Sequence, residues 1–151
     1  MLYKMYTDYC PYPTLRGLID AEEEEGFSAN EPLAWWFFKN LVDRGLLIEQ
    51  GHVETPVAGW KQIVHSDIKP EKIFFTDRSD DPDIDYPLYK QPVLGDFGLA
   101  VITSPDDPHN PNDFVDRGTT GFMAPEQKAT RGSEGEEEHA QVEKWGTKTN
   151  V

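Results

Sequence analysis

Three short stretches of this sequence carry side chains suited to acid–base or ionic work. Residues 63–75 read Ile-Val-His-Ser-Asp-Ile-Lys-Pro-Glu-Lys-Ile-Phe-Phe. An apolar pair, Ile63 and Val64, leads into His65, Asp67 and Lys69, and the β-prone run Ile73-Phe74-Phe75 leads out. Apolar–polar–apolar punctuation of this kind presents a carboxylate at a turn held by two anchored segments. Lys69 follows Asp67 by two positions and reaches the same side of the loop. The second stretch is Asp96-Phe97-Gly98, delivered by the short strand Val93-Leu94-Gly95. It offers a hard oxygen donor beside a glycine that lets the backbone turn. The third, residues 118–126, reads Gly-Thr-Thr-Gly-Phe-Met-Ala-Pro-Glu. Taken singly, each has a plain structural alternative. His65 reads as a satisfied core histidine, Asp67 as a turn residue or helix cap, and Asp96-Phe97-Gly98 as a common turn.

Taken together and in this order, the stretches resemble the catalytic loop (His-Arg-Asp-Leu-Lys-x-x-Asn), the Asp-Phe-Gly turn and the Ala-Pro-Glu segment of eukaryotic protein kinases, serine/threonine type and fungal-like. The resemblance implies ATP- and magnesium-dependent phosphoryl transfer to a Ser/Thr hydroxyl of a protein substrate. Such a reaction asks the protein for a proton-accepting carboxylate, a cation near the transferred phosphate and metal-ligating oxygens. By resemblance these are Asp67, Lys69 and Asp96, with Asp96 the magnesium ligand and Phe97 packing on His65. Thr119 matches the threonine that bonds the catalytic Asp and Lys where hydroxyl acceptors are used. Thr7-Asp8-Tyr9-Cys10 resembles the hinge, so main-chain groups of Asp8 and Cys10 are expected at the adenine. Glu71 is expected to face ribose or peptide, and Phe74 to support the adenine ring.

The resemblance implies an α+β fold: the mainly helical large lobe of a kinase-like domain with short β-hairpins, the small lobe being absent. Residues 1–14 correspond to the last small-lobe strand and hinge. Residues 15–131 correspond to the large-lobe core, and 132–151 to an acidic segment and the lead-in to a further helix. No Gly-x-Gly-x-x-Gly and no Val-Ala-Ile-Lys-like strand precede Tyr3. Position 72 is Lys where the family has a metal-binding Asn, and an ammonium cannot ligate a cation. Two unit charges about 4 Å apart repel by about 4 kcal/mol at a near-surface dielectric, and a divalent ion doubles this. Since about 1.4 kcal/mol is tenfold in rate, impaired or absent turnover is expected. Ser66 replaces the Arg that grips an activation-loop phosphate, so phosphorylation of Thr103, Ser104 or Thr120 is not expected to switch the loop on. Lys72 and Ser66 also fit a pseudokinase-like binding module, and a non-functional fragment is a third reading.

The elements that must hold these loops are legible in part. Residues 2–9 alternate like a strand before Cys10-Pro11-Tyr12-Pro13 breaks it. Leu15, Leu18 and Ile19 predict a short amphipathic helix, followed by the solvated run Glu22–Glu25. Pro32 marks a helix start and Gly51 a stop. Between them Leu33, Trp36, Phe37, Leu41, Leu47 and Ile48 keep helical spacing, and Trp35, Phe38 and Val42 make the opposite side apolar. This predicts a helix buried all round, its aromatics core residues. Residues 51–61 form a connector. Residues 76–91 read as an exposed insertion between two strands, and their aspartates lack the glycine and terminal glutamate of a calcium loop. Residues 104–116 are loop-like, and 132–138 are Gly/Glu-rich. At 151 residues, 37% hydrophobic and 12% aromatic, one domain with a core is the natural expectation. The net charge of −14 disfavours nucleic acid and anionic membrane surfaces as partners. One cysteine, Cys10, excludes an internal disulfide framework. With no leader and no apolar run long enough to span a bilayer, the chain reads as intracellular, cytoplasmic or nuclear.

Overall fold

The computed structural model describes residues 7–26, 30–77, 89–104, 106–110, 113–114 and 116–128. Among them are two α-helices and two small antiparallel sheets, an α+β architecture. The expected mainly helical character is not found among the described residues: after the helix Glu31–Gln50 they lie in short strands, single 3-10 turns and loops, with prolines and left-handed residues among them. The chain divides into two compact units, Met1–Leu41 with Pro70–Gly95, and Val42–Lys69 with Asp96–Val151.

In the first unit, α1 (Leu15–Glu25) begins at Thr14, whose Oγ1 accepts from the Gly17 N–H at 3.4 Å. It ends at Gly26, which takes the left-handed conformation at φ 68° and donates to the Glu22 carbonyl. The acidic run is therefore the last turns of α1 rather than a segment after it. β2 (Ile73–Thr76) pairs with β3 (Gln91–Leu94) in the register Ile73↔Leu94, Phe75↔Pro92. Period-2 alternation puts Ile73, Phe75, Pro92 and Leu94 on the buried face. α1 packs against β2 and against the 3-10 turn Pro70–Lys72. The ring of Phe37 lies 5.4 Å from that of Phe75, and the Trp36 indole donates to the Lys90 carbonyl at 3.1 Å. Residues 7–9 form no strand; the rest of the strand expected over 2–9, the aspartates at 80–85 and the segments 132–138 and 145–151 lie outside the described residues.

α2 (Glu31–Gln50) supplies residues 31–41 to the first unit and 42–50 to the second. Its ends fall at Pro32 and Gly51, as read from sequence. The all-round burial expected of it is not found. Trp36, Asn40 and Ile48 are buried, but Trp35 is 59% and Phe38 61% exposed, and Val42 is exposed as well. The described residues cover one stripe of a helix whose apolar belt runs wider than one stripe.

The second unit is built on β1 (Gln62–Val64) paired antiparallel with β4 (Val101–Thr103), in register Val64↔Val101. Val64 and Val101 are buried, with Phe114 packed on them. The connector before β1 is closed by a Trp60 indole N–H to the Ile48 carbonyl at 3.1 Å and by Val57 N–H to Gln50. No described helix is long and apolar enough to cross a membrane.

Two predictions follow from these contacts. Gly51 sits at φ 82°, and a Cβ there would stand 2.6 Å from the Trp60 ring. Gly51→Ala should therefore lower stability by about 1–3 kcal/mol in urea unfolding; an unchanged midpoint would mean that Trp60 and the turn relax at no cost. In the first unit, Asp77 Oδ1 accepts from Lys90 at 2.8 Å and from the Tyr12 hydroxyl at 2.5 Å. Those bonds hold the Asp77 carboxyl below its ordinary range, and the bond to Asp77, then that to Tyr12, raises the Lys90 ammonium. The contribution of Asp77 is present above its ordinary pKa and is lost as pH falls through the lowered one. That of Lys90 is full below its ordinary pKa and is lost as pH rises through the raised one. The cluster is thus intact across neutral pH. In Lys90→Met the Asp77 carboxyl midpoint, followed by carbon-13 NMR, should move up toward the ordinary carboxylate value; a midpoint that stays low would contradict the assignment.

Candidate functional site

In an antiparallel pair the end of one strand lies beside the start of the other. Because Val64 is opposite Val101, the loop that follows β1 and the turn that precedes β4 leave the ribbon at the same end. The first holds His65, Asp67 and Lys69, and the second Asp96 and Phe97.

His65 is fully buried, and its Nδ1 accepts from the Asp67 N–H at 3.3 Å, which fixes the neutral ring with its proton on Nε2. Its ring stands edge-on to that of Phe97, with centroids 4.7 Å apart. The histidine acts as a post around which the loop is wound. Ser66, also buried, takes the left-handed conformation at φ 70°, its hydroxyl donating to the Val64 carbonyl at 3.3 Å. A non-glycine residue held there costs on the order of 1–3 kcal/mol, so the surroundings must over-determine it.

That turn puts Asp67 next to Thr119. The Thr119 hydroxyl donates to Asp67 Oδ1 at 2.6 Å and accepts from Lys69 Nζ at 2.6 Å. A hydroxyl has one proton and two lone pairs, so both bonds are made at once. Lys69 Nζ stands 3.6 Å from Asp67 Oδ2, an ion pair whose side chains are 18% and 8% exposed. The three residues expected at the centre are therefore brought together. The arrangement can receive a proton on a carboxylate and hold a negative group beside an ammonium.

Asp96 belongs to the same unit and opens the 3-10 turn Phe97–Leu99, taking φ 61° with Oδ1 accepting from the Gly98 N–H at 3.4 Å. It is exposed. No group of three His, Cys, Asp or Glu able to hold a metal occurs among the described residues. A single carboxylate fits magnesium only where phosphate and water oxygens complete its octahedron. Asp8, Cys10, Glu71 and Phe74 lie in the first unit. Asp8 is exposed and Cys10 half-buried in an irregular segment, Glu71 is exposed on the Pro70–Lys72 turn, and Phe74 is half-buried on β2. The Lys72 carbonyl accepts from the Gly95 N–H at 2.9 Å.

Of the three hydroxyls considered for phosphorylation, Ser104 and Thr120 are exposed. Thr103 is buried, its Oγ1 donating to Asp107 Oδ2 at 3.2 Å. Gln127, outside the three motifs, is buried and bonded to both Ser66 and Arg117. A glutamine after Pro-Glu carries no signal of this in one dimension.

No protein-family model and no curated protein matches the chain. Thr119→Val deletes both hydroxyl bonds while keeping shape. It should destabilise the second unit by about 1–3 kcal/mol, with Thr119→Ser restoring most of the loss. Equal stability of all three in urea would show that the hydroxyl bridge does not form in solution.

Proposed function

We propose that this chain is a member of the serine/threonine protein-kinase family, folded as part of a kinase-like large lobe. It would pass the γ-phosphoryl group of ATP to a Ser or Thr hydroxyl of a protein substrate. The observation that carries this reading is the Thr119 hydroxyl held between the Asp67 carboxylate and the Lys69 ammonium, by residues about fifty positions apart in sequence. In the proposed step the acceptor oxygen forms a bond to the γ-phosphorus and the bond from that phosphorus to the bridging oxygen breaks, releasing ADP. The acceptor's proton passes to Asp67, and Lys69 neutralises charge on the transferred oxygens. Magnesium, held through Asp96, would supply further neutralisation at the phosphates. Asp8 and Cys10 would hold adenine through their main chain, with Phe74 beneath the ring and Glu71 toward ribose or peptide. The single free thiol and the need for ATP fit an intracellular setting, cytoplasm or nucleus.

Lys72 favours a second reading, a pseudokinase-like module that binds nucleotide without turnover. Its ammonium stands where the family uses a metal-ligating amide, and Ser66 offers no cation to a phosphate.

Melting the chain with ATP, with and without magnesium, separates the two. Stabilisation that requires magnesium supports the phosphotransferase, and magnesium-independent stabilisation supports the binding module. A melting curve unmoved by ATP in either condition would sink both. On the first outcome, Lys72→Asn should raise phosphotransfer to a Ser/Thr peptide at least tenfold, and Asp67→Asn should abolish it.

A further inference from the structure

We propose that Gln127 is a positioning residue. Its buried carboxamide joins the Asp67 loop to the segment carrying Thr119, and so sets Thr119 between Asp67 and Lys69. The inference gains its meaning from the phosphotransfer reading, but its test needs neither nucleotide nor turnover.

Gln127 is 2% exposed, and every polar atom of its side chain is used. Nε2 donates to the Ser66 carbonyl and to the Arg117 carbonyl, each at 2.7 Å, and Oε1 accepts from the Ala124 N–H at 2.9 Å. The amide orientation is fixed by these partners, because two carbonyls can face only the nitrogen. Its main chain is tied in as well: the Gln127 carbonyl accepts from the Asp116 N–H at 2.7 Å, and its N–H donates to Ala124 at 3.0 Å. One side chain thus fixes the residue before Asp67, the residue two before Thr119 and the far end of the Thr119 segment.

Gly118 carries an independent mark of the same contact. It sits at φ 121°, and a Cβ there would stand 2.5 Å from the Ser66 carbonyl oxygen and 3.1 Å from Gln127 Nε2. Only a glycine lets the backbone next to Thr119 come this close to the backbone next to Asp67. The left-handed Ser66, the bare Gly118 and the saturated Gln127 describe one closure, made by a neutral amide. Such a closure needs no phosphate on the exposed Ser104 or Thr120 to form.

Competitive acetylation of the full chain with acetic anhydride, read by mass spectrometry, tests this. Lys69 Nζ is engaged by Thr119, and Lys61 serves as an exposed reference. Gln127→Met keeps length and removes all three side-chain bonds. Gln127→Glu keeps shape but turns oxygen toward two carbonyls. Both should raise Lys69 acetylation relative to Lys61 by roughly tenfold, the scale of a lost buried hydrogen bond. Gly118→Ala, whose Cβ would crowd the Ser66 carbonyl at 2.5 Å and Gln127 Nε2 at 3.1 Å, should do the same while residue 127 stays glutamine, and it decides the matter if the Gln127 variants fail to melt cooperatively. Thr120→Glu should leave Lys69 at the parent level. The proposal is overturned if Lys69 labelling stays at the parent level in the position-127 variants, or if Lys69 and Lys61 rise together as in general loosening. It is equally overturned if Thr120→Glu shifts Lys69 labelling. Absence of ATP stabilisation would count against the phosphotransfer reading and leave this result standing.

Discussion

An ion pair taken mostly out of water is stable only when its members are compensated at close range. Asp67 and Lys69 meet that condition through a third group. At 3.6 Å their nearest charged atoms are too far apart for a good hydrogen bond, and the Thr119 hydroxyl fills the interval with a charge-assisted bond to each. Three irregular points of the described backbone lie beside this bridge. Ser66 is held left-handed so that Asp67 turns toward Thr119, His65 receives the Asp67 N–H, and Gly118 gives up its side chain so that two loops can touch. Remove the hydroxyl and a carboxylate and an ammonium are left partly buried, 3.6 Å apart, without the group that bridges them.

The parts of this arrangement that were legible in sequence are those set by local chemistry. Pro32 and Gly51 bracket α2 because one suits a first turn and the other a left-handed stop. The β-prone run at 73–75 and the short strand read at Val93-Leu94-Gly95 are found as β2 and β3, while residues 63–64, expected only as an apolar lead-in to the loop, pair with 101–102 as part of β1. Asp67, Lys69 and Thr119 were legible as a set through motif resemblance alone; nothing local to position 119 announces a bond to position 67. What escaped was set by tertiary contact. The exposed side of α2, with Trp35 and Phe38, could not be read, because hydrophobicity says that a face wants covering but not what covers it. The role of Gln127 was equally invisible, for an amide's worth depends on which carbonyls the fold brings to it.

Charge shows the same division between global and local. The chain carries a net charge of −14, yet its described ion pairs are made by single cations placed against particular carboxylates. Lys90 spans Asp77 and Tyr12 and lies 4.2 Å above the tyrosine ring, joining the ends of β2 and β3 to the segment before α1. Lys69 does the corresponding work beside Asp67. The overall field bears on which partners approach, and these pairs on which loops stay closed.

The two oxygens of Asp67 are not equivalent, and that difference bears on what the site can do. Oδ1 is committed to the Thr119 hydroxyl at 2.6 Å, a bond that also steadies Lys69. Oδ2 faces the Lys69 ammonium at 3.6 Å, a distance at which the cation attracts without saturating it. An incoming hydroxyl that gave its proton to Oδ1 would have to displace Thr119 and loosen Lys69 in the same motion. One that gave its proton to Oδ2 would leave the bridge intact and the ammonium close to the charge that develops. In the proposed reaction Oδ1 would then serve the structure and Oδ2 would accept the proton. The same division explains why a hydroxyl suits position 119: it can donate to one charged neighbour while accepting from the other, which neither an amide nor a methyl could do with a single atom.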